Sequence, residues 1–427
     1  MQYDISSETC FENQIMEHYR HFRELWDTCK TDFPVLDKNY SHREKREREQ
    51  CLDEFFRELK EGMSQGERIP AEIDTVYFFR KMEEFFRKGL DYNDEQLRVI
   101  LSPGMIDATL DFVSEAKRFD SLMSAESIFQ ACRNIWIMNG IQYVLGVPVS
   151  LSPSIFAYSM LYPYSDNLLD DPDITTQKKL EFSSRFEQRL KGNIVPAMNR
   201  SEEKIHELVC MIEDEWDRQT YPGVYKSLLD IHKAQTDSMS LLSGNLTDED
   251  IFRICVGKGG ASVVADGYLI VGDLTGRQEQ FLYDYGAYLQ LLDDLQDASE
   301  DLAAGLMTCF SSSVNKKRSG ELLSRTFHLG FSIMAEVDWL NTCDSAAFKS
   351  VMKKSIDLFI IEAVITNRSF FNRWFVHKME IFSPFRYSFI RKRSANLSPY
   401  QKILFRNIEE FAFKREKREP ASLLVTA

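Results

Sequence analysis

Apolar residues recur along most of this chain at spacings of three and four, with charged residues between them, as in Cys51 to Met63 (CLDEFFRELKEGM) and Glu202 to Trp216 (EEKIHELVCMIEDEW). That period is helical, and the alternating apolar and polar runs that strands require are scarce. Polar or proline-containing breaks fall at Gly66 to Pro70, Ser102 to Gly104, Gly146 to Pro153, Tyr221 to Gly223, Ser243 to Thr247 and Ser311 to Lys317. They divide the chain into roughly ten predicted helices. Thr247, followed three residues later by Asp250 and then by IFRICVGKGG, has the form of a capping box and predicts a helix start there. No linker long enough to separate distinct domains stands out, so the expected fold class is all-α, a single large helical bundle. Along it, residues 1–120 read as N-terminal helices packed on the core, 121–375 as the core, and 376–427 as a basic, aromatic C-terminal extension.

The longest uncharged stretch runs from Asn134 to Ser165, long enough on paper to span a bilayer. Pro148, Pro153 and Pro163 interrupt it, so the expectation is a buried helix, a turn and a second helix rather than a membrane span. The N-terminus, MQYDISSETCFENQ, is acidic and polar where a signal peptide needs a basic start and an apolar run, which predicts a cytoplasmic protein. Eight cysteines are scattered without a CxxC pair or a Cys/His cluster, so neither a disulfide framework nor a zinc ribbon is suggested. With 427 residues, 44% hydrophobic and 28% charged, the chain has the composition of a folded globular protein, not a disordered one. Its formal charge of −14 would repel a nucleic-acid backbone, so nucleic acid is not an expected partner.

Two local departures from the acidic balance remain. Tyr40 to Arg48 (YSHREKRER) is strongly basic and reads as a solvated helix face. Phe370 to Arg418 mixes Phe371, Trp374, Phe382, Phe385, Tyr387, Phe389, Phe405 and Phe411 with many Lys and Arg, a composition suited to capping a pocket, to peripheral membrane contact or to plain packing.

The candidate chemistry lies in two acidic clusters. In Tyr164 to Asp173 (YSDNLLDDPD), a continuous helix would set Asp170 about 40° from Asp166 and Asp173 about 20° away on the other side, all on one face. In Gln290 to Asp301 (QLLDDLQDASED), Asp293, Asp297 and Asp301 are spaced by four, with Glu300 beside them and Asp294 to one side. Like charges stacked after an apolar run destabilise a helix unless cations neutralise them. Magnesium suits the task, because it takes a few carboxylate oxygens and leaves positions for water and phosphate. The competing reading is a solvated acidic face or a capped helix end. An EF-hand calcium loop is disfavoured, since its glycine and alternating ligands are missing.

DNLLDD (Asp166 to Asp171) resembles the first aspartate-rich motif of class I isoprenoid synthases, DDxxD with Asn167 in second place, and equally the DxxxDD form of squalene and phytoene synthases. GAYLQLLDDLQDASED (Gly286 to Asp301) resembles the second motif, 127 residues further on when Asp293 is compared with Asp166. Lys258, in VGKGGASVVADGYLIVG, resembles the diphosphate-binding lysine that trans-prenyltransferases place upstream of that motif. The resemblance covers about residues 125 to 310 and implies a bundle around a central cavity with the two motifs on facing helices. It implies Mg2+ as cofactor, held by Asp166, Asp170, Asp171, Asp293, Asp294, Asp297 and Asp301. Asp166, Asp170, Asp293 and Asp297 would be catalytic, with Lys258, Gln290 and Arg253 contacting a prenyl diphosphate substrate.

The reaction so implied is ionisation of an allylic prenyl diphosphate, the carbocation then being kept from water in an aromatic-lined cavity. Aromatics make up 12% of the chain, and Tyr158 and Tyr162 precede Asp166 as Tyr285 and Leu289 precede Asp293, although such stripes are commonly ordinary core. The arginine pair expected of chain-elongating enzymes is replaced by ITTQKKLEF, and no early Gly-Gly-Lys is found. This favours a one-substrate terpene synthase, a carbon–oxygen lyase acting on diphosphates. A prenyltransferase stays open: Gln290, Asp293, Asp297, Asp301 and Gly305 fit the head-to-head spacing QxxNxxxDxxxDxxxG, with Asp293 in place of Asn. A catalytically silent, prenyl-diphosphate-binding or regulatory subunit, and a homodimer, are the remaining alternatives.

Overall fold

The computed structural model describes residues 5–65, 71–170, 173–242, 245–313, 316–340 and 345–394 together with Ile408. Among them there are helices and no strands, so the chain is all-α. In order, the first helices are α1 (Ile5–Thr28), α2 (His42–Gln65), α3 (Ala71–Lys88), α4 (Asp94–Ile100), α5 (Pro103–Phe119) and α6 (Ala125–Leu145). Next come α7 (Pro153–Asp170), α8 (Thr176–Leu190), α9 (Arg200–Glu215), α10 (Pro222–Ser238), α11 (Asp248–Val271) and α12 (Gly276–Gln296). The last are α13 (Ala298–Ala304), α14 (Lys316–Leu340), α15 (Ser345–Thr366), α16 (Arg373–Phe382) and α17 (Tyr387–Ser394). Among the described residues seventeen α-helices thus stand where the punctuation predicted roughly ten. The short helices α4 and α13, of seven residues each, hold too few positions to show a helical period.

By its contacts the chain divides into two compact units. Unit 1 combines residues 1–36, 168–341 and 359–379; unit 2 combines 37–167, 342–358 and 380–427. Each unit is thus built from segments far apart in sequence.

Unit 1 is organised on α11. By length and composition α11 could cross a membrane, but 67% of its apolar window is buried in the chain, as befits a core helix. Its start is the capping box read from the sequence: Asp250 N–H donates to Thr247 Oγ1 at 3.1 Å, and Thr247 N–H to Asp250 Oδ2 at 3.2 Å. Helix α10 begins with Pro222 in its first turn, where a proline's missing N–H costs no hydrogen bond.

In unit 2 the uncharged stretch is the predicted helix, turn and helix. Gly146 ends α6 at φ 71°, a left-handed conformation that favours glycine, and α7 begins at Pro153 and continues through Pro163. The basic segment is solvated on one side only: Ser41, His42, Arg43, Arg46 and Glu47 are exposed. Tyr40 and Lys45 are buried, Lys45 donates to the Glu380 carbonyl, and Arg48 pairs with Asp91 at 2.8 Å. Asp91 itself has φ 69°, and although burial opposes it, bonds from Lys38 and Arg48 draw its carboxyl down to about 2. Further along α2, Glu49 holds Arg386, which ties the C-terminal aromatic segment into unit 2 by packing. Phe405 and Phe411 of that segment lie outside the described residues.

Candidate functional site

Helices α11 and α12 of unit 1 approach each other at two glycines. A methyl group added at Gly259 would lie 2.4 Å from the Gly286 carbonyl oxygen, and one at Gly286 would lie 2.2 Å from that of Gly259. Only hydrogen side chains permit this backbone contact. It sets Lys258, next to Gly259, on the helix that packs against the acidic end of α12. Lys258 is half-buried and forms no ion pair among the described residues. Arg253, five residues earlier on α11, is exposed and paired with Asp250 at 3.6 Å.

On α12 the predicted aspartates diverge. Asp293 and Asp297 are half-buried, whereas Asp294 is 2% exposed. The Asp297 backbone N–H donates to the Asp293 carbonyl at 2.9 Å, and that of Asp301 to the Asp297 carbonyl at 2.8 Å. Asp293, Asp297 and Asp301 are therefore consecutive rungs of one helical row, as their spacing implied. The row crosses a junction, because Asp297, at φ −94° and ψ 4°, closes α12 and opens α13.

Asn367 holds that junction. It is fully buried; its Nδ2 donates to the carbonyls of Leu295 at 2.8 Å and Gln296 at 2.7 Å, and its Oδ1 accepts from Ser299 N–H at 3.0 Å and Ser299 Oγ–H at 2.5 Å. Nothing in the sequence marked this residue, which lies some seventy positions from its partners.

The electrostatics follow from burial and crowding. Burial pushes the Asp301 carboxyl up to about 7; the charges of Asp294, Asp293 and Glu300 add to the effect, and the Thr308 hydroxyl, donating at 3.0 Å, opposes it. Burial likewise raises Asp294 to about 6, opposed by the Gln290 amide and increased by Asp293. Gln290 Nε2 donates to Asp294 Oδ1 at 2.9 Å, so the predicted substrate-binding glutamine orients a carboxylate.

Asp294 also meets two cysteines that the sequence showed as unrelated. The Cys255 and Cys309 sulfurs and an Asp294 carboxylate oxygen lie within 4.8 Å of one another, and the Cys309 N–H donates to Asp294 Oδ2 at 3.3 Å. Asp294 thus turns from the row of Asp293, Asp297 and Asp301 towards sulfur.

The first motif occupies the last turns of α7. Asp166 and Asp170 stand there, of which the backbone alone is described, and Asp171 lies outside the described residues. Asp173 departs from its expected place on the same face: α7 has ended at Asp170, shortly before Pro172, and Asp173 is an exposed turn residue. Pro163 does not break the helix, so Tyr158 and Tyr162 remain in register with Asp166; the first is half-buried and the second exposed. On α12, Tyr285 is buried and stacks on Phe281 with ring centroids 6.1 Å apart, an ordinary core pair. A cleft of about 550 Å³ between α2 and α3 is lined by Glu54, Glu58, Lys81 and Glu84 among others and includes no aspartate of either motif.

No protein-family model matches this chain, and no curated protein does either. The crystal structure of a geranyltransferase from Legionella pneumophila is similar to it over 64% of this chain and 100% of that one, at 10% identity and a TM-score of 0.39. A likeness that slight carries no argument about activity.

Proposed function

We propose that the chain is a class I terpene synthase, which ionises an allylic prenyl diphosphate with magnesium and cyclises the carbocation. The observation that supports this most is the row Asp293, Asp297 and Asp301, where burial, with the charges of Asp294, Asp293 and Glu300 adding to it, pushes the Asp301 carboxyl up to about 7. A row of hard oxygen donors at a partly buried helix junction fits a hard divalent cation. Asp293, Asp297 and Asp301 would hold magnesium, and Asp166, Asp170 and Asp171 would be the ligands that the first motif supplies. Bound magnesium would supply charge for the departing diphosphate. Lys258 would add a fixed positive charge to the same end, and the apolar helices α11 and α12 would keep water from the cation.

The test is release of diphosphate from prenyl diphosphates of several lengths, with magnesium or with a chelator. We expect release from one allylic substrate alone, a cyclic or rearranged product by mass spectrometry, and loss of turnover in Asp293→Asn without loss of helical signal. Doubled-carbon products would replace this reading with head-to-head condensation. Dependence on isopentenyl diphosphate would replace it with chain elongation, and binding without turnover would make the chain a non-catalytic subunit.

A further inference from the structure

We infer that Cys255, Asp294 and Cys309 form a site for a thiophilic divalent cation of the zinc class. Their ligand atoms all lie within 4.8 Å of one another, and they come from three segments of unit 1: α11, α12 and the loop after α13. Cys255 and Asp294 are buried and Cys309 is half-buried. Tetrahedral zinc, with bonds of roughly 2.0–2.3 Å, would set these donors about 3.5–3.8 Å apart, a contraction of at most about 1.3 Å that side-chain rotation can supply.

The donor set decides the class of metal. Two sulfurs and one oxygen suit zinc or cobalt and repel magnesium, which demands oxygen throughout. The surroundings are those of a built site. Gln290 Nε2 and the Cys309 N–H fix both oxygens of Asp294, as outer-shell donors fix metal-bound carboxylates. Leu241, Ile251 and Ile254 pack around Cys255, with Leu246, Leu306 and Met307 against the same cluster, so the surroundings of Cys255 are apolar. No Lys, Arg or His among the described residues forms an ion pair with Asp294, leaving a buried acid beside two thiols with no cation. Binding would release the two thiol protons to solvent, with Asp294 entering as the carboxylate, and would leave a fourth position open.

The role follows from the loop. Met307 N–H donates to the Leu241 carbonyl at 3.0 Å, and Thr308 Oγ1 to Asp301 Oδ2 at 3.0 Å. A metal at Cys309 would lock this loop to α11 and α12, and through Thr308 would position Asp301. The inference is independent of the proposed reaction, since it needs only these three donors.

The test uses the full chain, purified with reductant, stripped with a chelator and titrated with Co2+ alone. We expect stoichiometric cobalt with an intense thiolate-to-cobalt charge-transfer band, displacement by Zn2+ and none by Mg2+. Cys255→Ser and Cys309→Ser should each abolish or greatly weaken the band, Gln290→Ala should lower affinity roughly tenfold to hundredfold, and Cys51→Ser should change nothing. The wild-type spectrum stands without any variant, so misfolding of a serine variant does not spoil the test. Absence of the band in the reduced wild type, a band that survives both serine substitutions, or a Cys255–Cys309 disulfide found by peptide mapping of protein kept reduced would overturn the inference.

Discussion

Replacing Asn367 by alanine removes four hydrogen bonds from the α12–α13 junction at once. The Leu295 carbonyl is buried, and stranding it costs about 1–3 kcal/mol. The other three bonds are partly buried, and at about 0.5–1.5 kcal/mol each, less what water restores at exposed Ser299, they bring the total to roughly 3 kcal/mol. Four of the five tryptophans belong to unit 1, so tryptophan fluorescence during urea unfolding reports mainly on the unit that contains the junction. We expect the fluorescence midpoint of Asn367→Ala to fall by an amount equivalent to about 3 kcal/mol. Asn367→Asp should be worse near pH 7, because it sets a buried carboxylate against two carbonyls, and should recover partially towards pH 5 as that carboxylate takes up a proton. An alanine variant within about 1 kcal/mol of wild type, or an aspartate variant indifferent to pH, would refute the idea that this side chain holds the junction.

Gly286→Ala and Gly259→Ala each push a methyl group onto a backbone carbonyl that cannot rotate away, and each should cost about 1–3 kcal/mol or more by thermal or urea unfolding. The double variant should cost less than the sum, because the helices separate only once. Burial raises Asp230 to about 6, against the pull of Lys226 and Lys233. Its folded form therefore binds the proton more tightly than the unfolded chain does, and its contribution to stability is whole below about pH 4 and is lost as pH rises to about 6. Asp230→Asn should flatten that region of the stability profile. In unit 2, Glu49→Ala strands Arg386 and removes the carboxylate that takes its guanidinium and its backbone N–H. Proteolysis should then cut near Phe385 to Arg393 earlier than in wild type.

Much was legible in the sequence because it depends on neighbours within one turn or two. The helical class, the capping box at Thr247, the turn at Gly146 and the four-residue row from Asp293 to Asp301 all follow from local spacing, and all of these stand in the structure. What tertiary packing alone decided involves partners distant along the chain. No local pattern assigns residues 1–36 to the unit of 168–341, or 342–358 to that of 37–167. The buried side of the basic run at Tyr40 is not legible because a charge's partner is invisible until Asp91 and Glu380 are brought beside it. Asn367 looks like any polar residue after a helix until its amide meets four groups at the α12–α13 junction. Asp293 and Asp294 are adjacent letters with the same chemistry, yet successive helical positions point about 100° apart. One remains in the acidic row, while the other is buried against Cys255 and Cys309, where only the packing of α11 and the loop after α13 could bring sulfur to it.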